Sequence, residues 1–282
     1  MHPAETSGTA TWRAQLDLGF ERRGETTVLA RRDHVGPLRV QKPLYPEGAG
    51  LCHCIVLHPP AGICGGDQLE IGVDVGADAR ALLTTPGAGK WYRSGGPTAA
   101  QRLSIGVGAG GVVEWLPQEA IVFDHARARM STAVSLDTGA RFIGVETLCL
   151  GRRGSGEAFD RGTLRSSTEL HLEGRLLWRE RGAIEGGTAL MSSPIGLAGF
   201  TVCSTVLAAG VDVDATTLAA CRGARVPEAP AQAGVTAMPK LFVGRYLGHS
   251  AEAARAWFVA LWQELRPVFA DRAAVVPRIW NT

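Results

Sequence analysis

Among its 282 residues the chain has no uninterrupted apolar run of the length, about 20 residues, that a membrane-spanning helix needs. It also lacks an excess of charge of one sign: 29 Lys and Arg stand against 27 Asp and Glu, a formal net charge of +2. That balance argues against a strongly basic nucleic-acid surface or a polyacidic tail. Met1 to Gly8 lacks the charged and apolar regions of a signal peptide. The expected location is the cytoplasm, without membrane or nucleic-acid association, and the six cysteines are expected to be reduced thiols. Catalytic signatures are equally scarce. No G-x-S-x-G elbow is present. Gly87-Ala88-Gly89-Lys90 suggests a phosphate loop but fails as one. Thr84 occupies the position of the first glycine, and Trp91 the position where Ser or Thr would hold Mg²⁺.

Amphipathic helices are nearly missing between Trp12 and about Val206. Helix breakers are frequent, with 36 Gly and 15 Pro. Short runs such as Thr26–Ala30, Ala81–Thr85 and Arg141–Leu150 are separated by Gly-containing turns, which predicts an all-β body. No exact repeat is visible, although Gly-rich turns recur. The last third differs. Leu218 to Arg222 predicts a short helix stopped by Gly223, Pro227 to Pro230 a loop, and Met238 to Leu247 a strand with Leu241, Val243 and Arg245 alternating. From Ala251 to Arg266, Ala254, Trp257, Phe258, Leu261, Trp262 and Leu265 fall on one apolar helical face. Ser250 is its candidate N-cap, Glu252 suits the first turn, and Pro267 is expected to end it. The expected organisation is one domain over 1–282, with a β body at about 12–206 and a helix-containing part at about 207–282.

The densest punctuation lies between Leu57 and Ser94. His58-Pro59-Pro60-Ala61-Gly62 leads into Gly65-Gly66-Asp67, and Pro86-Gly87-Ala88-Gly89 precedes Lys90-Trp91-Tyr92-Arg93-Ser94. Pro fixes φ and Gly supplies positive φ, so these are shaped turns rather than slack loops. Their order, together with Trp12–Leu18, Leu38–Pro46, Glu114–Ile121, Leu148–Arg152 and the terminal Pro277-Arg278-Ile279-Trp280, resembles the urease accessory protein D family, UreD, called UreH in some organisms. Ala61 departs from the family pattern, which often has a second glycine before Gly62.

Several side chains are out of keeping with their neighbours. Cys52, His53, Cys54, His58 and Cys64 are ligand types that suit nickel or zinc, yet their spacing is not that of a closed zinc site. If Leu51 to Leu57 is a strand, Cys52, Cys54 and Val56 share one face and read as core, while His58 sits at the accessible turn. Asp67 either caps the Gly65-Gly66 turn or faces a polar cavity. Glu146 lies in a run that is apolar on both faces, so it must be paired, protonated or beside water. Glu180 alternates with Leu172, Leu176 and Trp178; it either pairs with Arg179 or Arg181 or joins Asp67 and Glu146 along an internal hydrated passage. Glu119 and Asp124 are weaker candidates for the same lining. Lys90, Trp91, Tyr92 and Arg93 are candidate partner contacts. Trp257 and Trp262 are either core or, with Trp280, aromatic anchors for a partner.

The family resemblance implies a mostly β, superhelical stack of strands with a few helices. It implies a non-enzymatic scaffold that binds urease apoprotein and accessory protein F, and reaches the GTPase, accessory protein G, through the F-containing complex. It implies nickel in transit through the interior, with no tightly bound metal or other cofactor. Two other functions fit the residues: a metal-dependent hydrolase using the Cys/His cluster with Asp67, and a β-rich carbohydrate- or peptide-binding module with an exposed aromatic groove.

Overall fold

Alternation builds the body. In Gln68–Val75, for example, Leu69, Ile71, Val73 and Val75 are buried and the residues between them are not. A computed structural model describes residues 12–281, which leaves the Met1–Gly8 reading outside the described residues. The strands are β1 (Arg13–Arg23), β2 (Thr26–Val35), β3 (Arg39–Val40), β4 (Cys52–Leu57), β5 (Gln68–Val75), β6 (Arg80–Thr84), β7 (Gly89–Trp91), β8 (Ala99–Val107) and β9 (Val112–Leu116). They continue with β10 (Ala120–Val122), β11 (Arg127–Leu136), β12 (Arg141–Leu150), β13 (Thr163–Leu172), β14 (Arg175–Glu185), β15 (Val202–Ala209), β16 (Gln232–Met238) and β17 (Leu241–Gly248). Helices are α1 (Ala189–Ser192), α2 (Ala215–Gly223) and α3 (Ala251–Ala270).

The strands form two facing sheets. One runs β14, β13, β11, β8, β5, β1, β2; the other runs β16, β17, β15, β12, β9, β6, β4, β3, with β10 and β7 attached beside β12. From β4 to β13 the chain alternates between sheets, and successive strands within each sheet are parallel. The result is a superhelical stack of coils. Antiparallel hairpins β1–β2 and β13–β14 close its ends in the first sheet, and β15, β17 and β16 extend the second as an antiparallel meander. The change of character near residue 206 therefore falls inside β15.

The recurring Gly-rich turns are the corners of this stack. Asp78, Gly110 and Gly139 occupy equivalent corners, with φ of 55°, 67° and 70°. The corners bond to each other, Asp78 N–H to Ala109 O at 2.9 Å and Gly110 N–H to Thr138 O at 3.0 Å. At Gly110 the positive φ favours glycine, and a Cβ there would press on the Asp78 carboxylate.

One apolar core lies between the sheets and a second between the second sheet and α3. The second is where sequence expectations need correction. Trp257 and Trp262 are 1% and 0% exposed, so they are core and offer nothing to a partner. Trp280 is not a free anchor either: its Nε1 donates to Thr84 Oγ1 at 2.7 Å and its ring packs against Phe258 and Trp262. Ser250 does cap α3, accepting from Ala253 N–H, but Pro267 does not end it. The helix continues to Ala270 because buried Leu265 and Phe269 hold the last turn, and it stops at Asp271, with φ 56°. Arg80 and Arg141 close that end: Arg80 donates to Ala270 O at 2.8 Å, and both guanidiniums hold the Asp271 carboxylate. Cations belong at the negative end of a helix dipole. Met238 to Leu247 is not one strand but the turn and second arm of a β16–β17 hairpin. Gly223 lies within α2, whose cap is Ala224.

The helix is positioned by a buried ion cluster. Arg266, with no exposed surface, donates from Nε and Nη2 to Glu114 at 3.0 Å each, from Nη1 and Nη2 to Glu47 at 2.7 and 2.8 Å, and from Nη1 to Ala273 O at 2.7 Å. Trp262 Nε1 donates to Glu114 Oε1 at 2.7 Å, and His53 Nε2 sits 2.9 Å from Glu47 Oε1. Burial opposes the charge on Glu47, but hydrogen bonds from His53 and Arg266 outweigh it and hold the carboxyl at about 2.

The turns between Leu57 and Ser94 lock onto each other. Ile63 N–H donates to Lys90 O at 2.7 Å and Tyr92 N–H to Ile63 O at 2.9 Å. Trp91, a candidate partner contact, is buried in the inter-sheet core instead. Ala61 has φ 64°, in the left-handed region that favours glycine. Ala61→Gly is therefore expected to stabilise the fold by about 0.5–1 kcal/mol, read as a higher urea midpoint at unchanged m-value. Arg266→Ala is expected to cost about 3–5 kcal/mol, because it strands two buried carboxylates. The stability contributed by Glu47 is present above pH 4.5 and is lost as pH falls through about 2. Glu47→Gln should flatten that acid limb of a stability–pH curve.

Candidate functional site

Register places a gradient of polarity between the sheets. On the first sheet one row of inward side chains reads Glu180, Thr168, Thr132, Leu103, Ile71, Leu16 from β14 across to β1. On the second sheet Glu146, Thr205 and Arg245 are in register on β12, β15 and β17. The carboxylates and threonines thus face each other at one side, and aliphatic residues fill the other. Between the sheets lies a cavity of about 430 Å³ that reaches from the polar rows to Leu69, Ile71 and Leu103 on the aliphatic side. It is lined by Glu146, Glu180, Thr132, Thr168 and Thr205, and by Trp115 and Phe142 toward the apolar side. The shaped turns add His58 and Lys90 to the wall, and the β9–β10 connection adds Glu119.

Glu180 does not pair with Arg179 or Arg181. Arg179 holds Glu169, and Glu180 reaches across to Arg245 in a two-pronged contact of 2.5 and 2.7 Å. Arg245 Nη1 also donates to Thr205 Oγ1 at 3.1 Å, so this ion pair bridges the two sheets at the cavity edge. Glu146 is different. Its side chain has no hydrogen-bond partner among the described residues, and its accessible surface faces the cavity. Desolvation by the surrounding protein, reinforced by the Glu180 charge and opposed by Arg245, lifts its pKa to about 7. His58 is pushed the other way: burial lowers its pKa, while Asp67 nearby works against that. It therefore presents a neutral imidazole. Glu119 is held at 2.6 Å by Arg255 of α3.

Two acidic candidates lie elsewhere. Asp67 caps its own turn, accepting from Cys64 N–H at 2.8 Å, and does not line the cavity. Asp124 accepts from the backbone N–H groups of Asp160 and Arg161 and contacts His125 at 2.7 Å, again outside the cavity. Asp67 is thus taken up by a backbone donor of its own turn, and Asp124 by backbone donors of a segment distant in sequence. The Cys/His group is likewise dispersed: Cys52 and Cys54 pack in the inter-sheet core, His53 points to Glu47, and Cys64 is exposed. Among the described residues, no three His, Cys, Asp or Glu side chains are grouped to hold a metal. All six cysteines are free thiols. Of the aromatic candidates, Tyr92 packs edge-on against Phe123 with ring centroids 5.0 Å apart. Arg93 is exposed.

Arg245, the partner that fixes Glu180, and the Glu47–Glu114–Arg266 cluster escaped the sequence reading. Glu114 carries the same signal as Glu146, a lone acid in an apolar strand, and Arg266 is the lone charge at the end of an apolar helix stripe. Because Glu146 ionises less readily in the fold than in the unfolded chain, it costs stability as pH rises from 4.5 to about 7. Glu146→Gln is expected to remove that decline, leaving the variant as stable as the parent at pH 4.5 and more stable at pH 8, measured by urea unfolding.

The family model described as UreD urease accessory protein matches residues 13–281. A urease accessory protein UreD from Azoarcus sp. (strain BH72) is 56% identical over 274 residues, covering 96% of this chain and 94% of the relative. Its counterpart from Dechloromonas aromatica (strain RCB) is 53% identical over 275 residues, covering 96% and 95%. With a match across nearly its whole length and relatives of more than half identity, this chain belongs to the UreD urease accessory protein family.

Proposed function

We propose that this chain is a non-enzymatic scaffold for urease maturation. In this reading it binds urease apoprotein and accessory protein F, meets the GTPase accessory protein G through the F-containing complex, and passes nickel through the cavity between its sheets. One observation carries the reading: a cavity of about 430 Å³ bordered by Glu146 and Glu180, in which, among the described residues, no three ligand-type side chains converge to complete a tight site. Carboxylates attract a hydrated dication, and an incomplete ligand set lets it leave. Glu146 suits a transit role in a second way. Near neutral pH it gives up a proton at little cost, so a passing dication replaces the proton. Glu180 remains tied to Arg245 and shapes the edge of the path. His58 and Glu119 extend the polar lining toward the turn wall.

The metal-dependent hydrolase reading requires convergent ligands, and the Cys/His group is spread over the inner core, the opposite face of β4 and the surface. The carbohydrate- or peptide-binding reading requires an exposed aromatic groove, whereas Trp91, Trp257 and Trp262 are core residues and Trp115 is 8% exposed, leaving Trp12 and Tyr45 as the exposed large aromatics among the described residues.

The test is activation of apo-urease by the purified complex of this chain with F and G, scoring complex yield and nickel per active site separately. Glu146→Gln is expected to lower nickel content several-fold at unchanged complex yield, and the parent's loading should rise between pH 6 and 8 as Glu146 ionises. Glu180→Ala is expected to have a smaller effect, because it also frees Arg245. Full nickel content in both variants would remove the cavity from the path.

A further inference from the structure

The outer face of the first sheet carries arginines that make no ion pair among the described residues. Among the described residues the helical part packs on the second sheet and not on this face. On it, Arg129 of β11 and Arg165 of β13 stand directly opposite each other. In the next outward row the order across four strands is Arg102, Ser131, Ser167, Arg181. Four arginines therefore frame two serines. Arg129, Arg165 and Arg181 are exposed and make no hydrogen bond or ion pair among the described residues. Arg102 has only a loose contact with Glu70, at 3.7 Å. Like charges directly opposite across strands are unfavourable in an isolated sheet. Three strand spacings of about 4.8 Å separate Arg102 from Arg181, a span of about 14 Å. That is the length of two to three turns of a helix with acidic residues on one side, or of four extended residues.

We propose that this arginine-framed patch docks an acidic segment of a partner protein, its carboxylates seated between the guanidiniums and the hydroxyls of Ser131 and Ser167. Guanidinium forks match carboxylates in two-pronged geometry. A nucleic acid fits less well. The patch is short, Glu70 and Glu169 border it, and the whole chain carries only +2, so a continuous phosphate backbone gains little beyond the four arginines. The inference adds a surface to the scaffold role proposed above and rests on that role only for the identity of the partner.

The experiment uses the full chain and two probes, a labelled oligo-glutamate peptide and a labelled DNA duplex of equal charge, followed by fluorescence anisotropy from low to physiological salt. The unmodified protein is expected to bind the peptide more tightly than the duplex, and more weakly as salt rises. The combined variant Arg129→Ser, Arg165→Ser, Arg181→Ser is expected to lose about tenfold in peptide affinity while melting no lower than the parent. Arg165→Ser alone, at the centre, is expected to lose part of that. Equal peptide affinity in parent and variants would overturn the proposal, as would tighter binding of the duplex. A parallel co-elution with F and urease apoprotein separates the two ideas. If the parent fails to co-elute, the scaffold role falls while the peptide result stands.

Discussion

One guanidinium fixes the back of the molecule. Arg266 has five N–H donors, and the fold answers them with two carboxylates and a carbonyl that come from three separated parts of the chain: Glu47 in a loop, Glu114 in β9 and Ala273 after α3. Apolar packing alone would allow α3 to slide along the sheet. The ion cluster gives it one azimuth and one depth. A buried pair of this kind adds little net stability over well-packed hydrocarbon, so its effect is one of placement. From that placement follow the seat of Trp280 on Thr84 and the reach of Arg255 to Glu119, which brings the helix into contact with the cavity wall.

The front of the molecule depends on register. Parallel strands repeat the same inward positions coil after coil, so polarity is inherited across a row: threonine beneath threonine at one side, leucine beneath isoleucine at the other. A one-residue slip would turn Thr132 and Thr168 outward and bring the arginines of the outer face into the core. The stacked corners, with their bonds from coil to coil, oppose such a slip. Cavity and arginine patch are thus two faces of one constraint.

How much of this was legible depended on distance along the chain. Alternation in β5 and the helical stripe of α3 were readable because each reports local burial. Glu146 was readable because a carboxylate among Phe142, Leu148 and Leu150 contradicts its surroundings. That Glu180 shares its cavity was one of the two readings the sequence left open; Arg245 was not legible, since pairing of β17 with β15 and of β14 with β13 brings it to Glu180 from far along the chain. Asp67 was legible as a cap of its own Gly-rich turn, whereas the partners of Asp124 were not, because its backbone donors lie 36 and 37 residues away along the chain. The tryptophan stripe was ambiguous because periodicity shows that a face is covered without saying what covers it. Pro267 misled because a proline signals loss of one helical hydrogen bond, a cost that the packing around Phe269 outweighs.

The hairpins at the ends of the stack have a consequence for assembly. A coil offers its neighbour a full strand edge, and nothing in parallel stacking itself sets a last coil. A second molecule meeting an open end would extend the ladder, and the product would be a fibre. Here β1–β2 and β13–β14 reverse the chain at the two ends, and the outermost strands present Arg31, Arg32, Asp33 and His34 on one side and Arg175, Arg179 and Arg181 on the other. Antiparallel closure and edge charge turn a potentially endless polymer into a unit of fixed length.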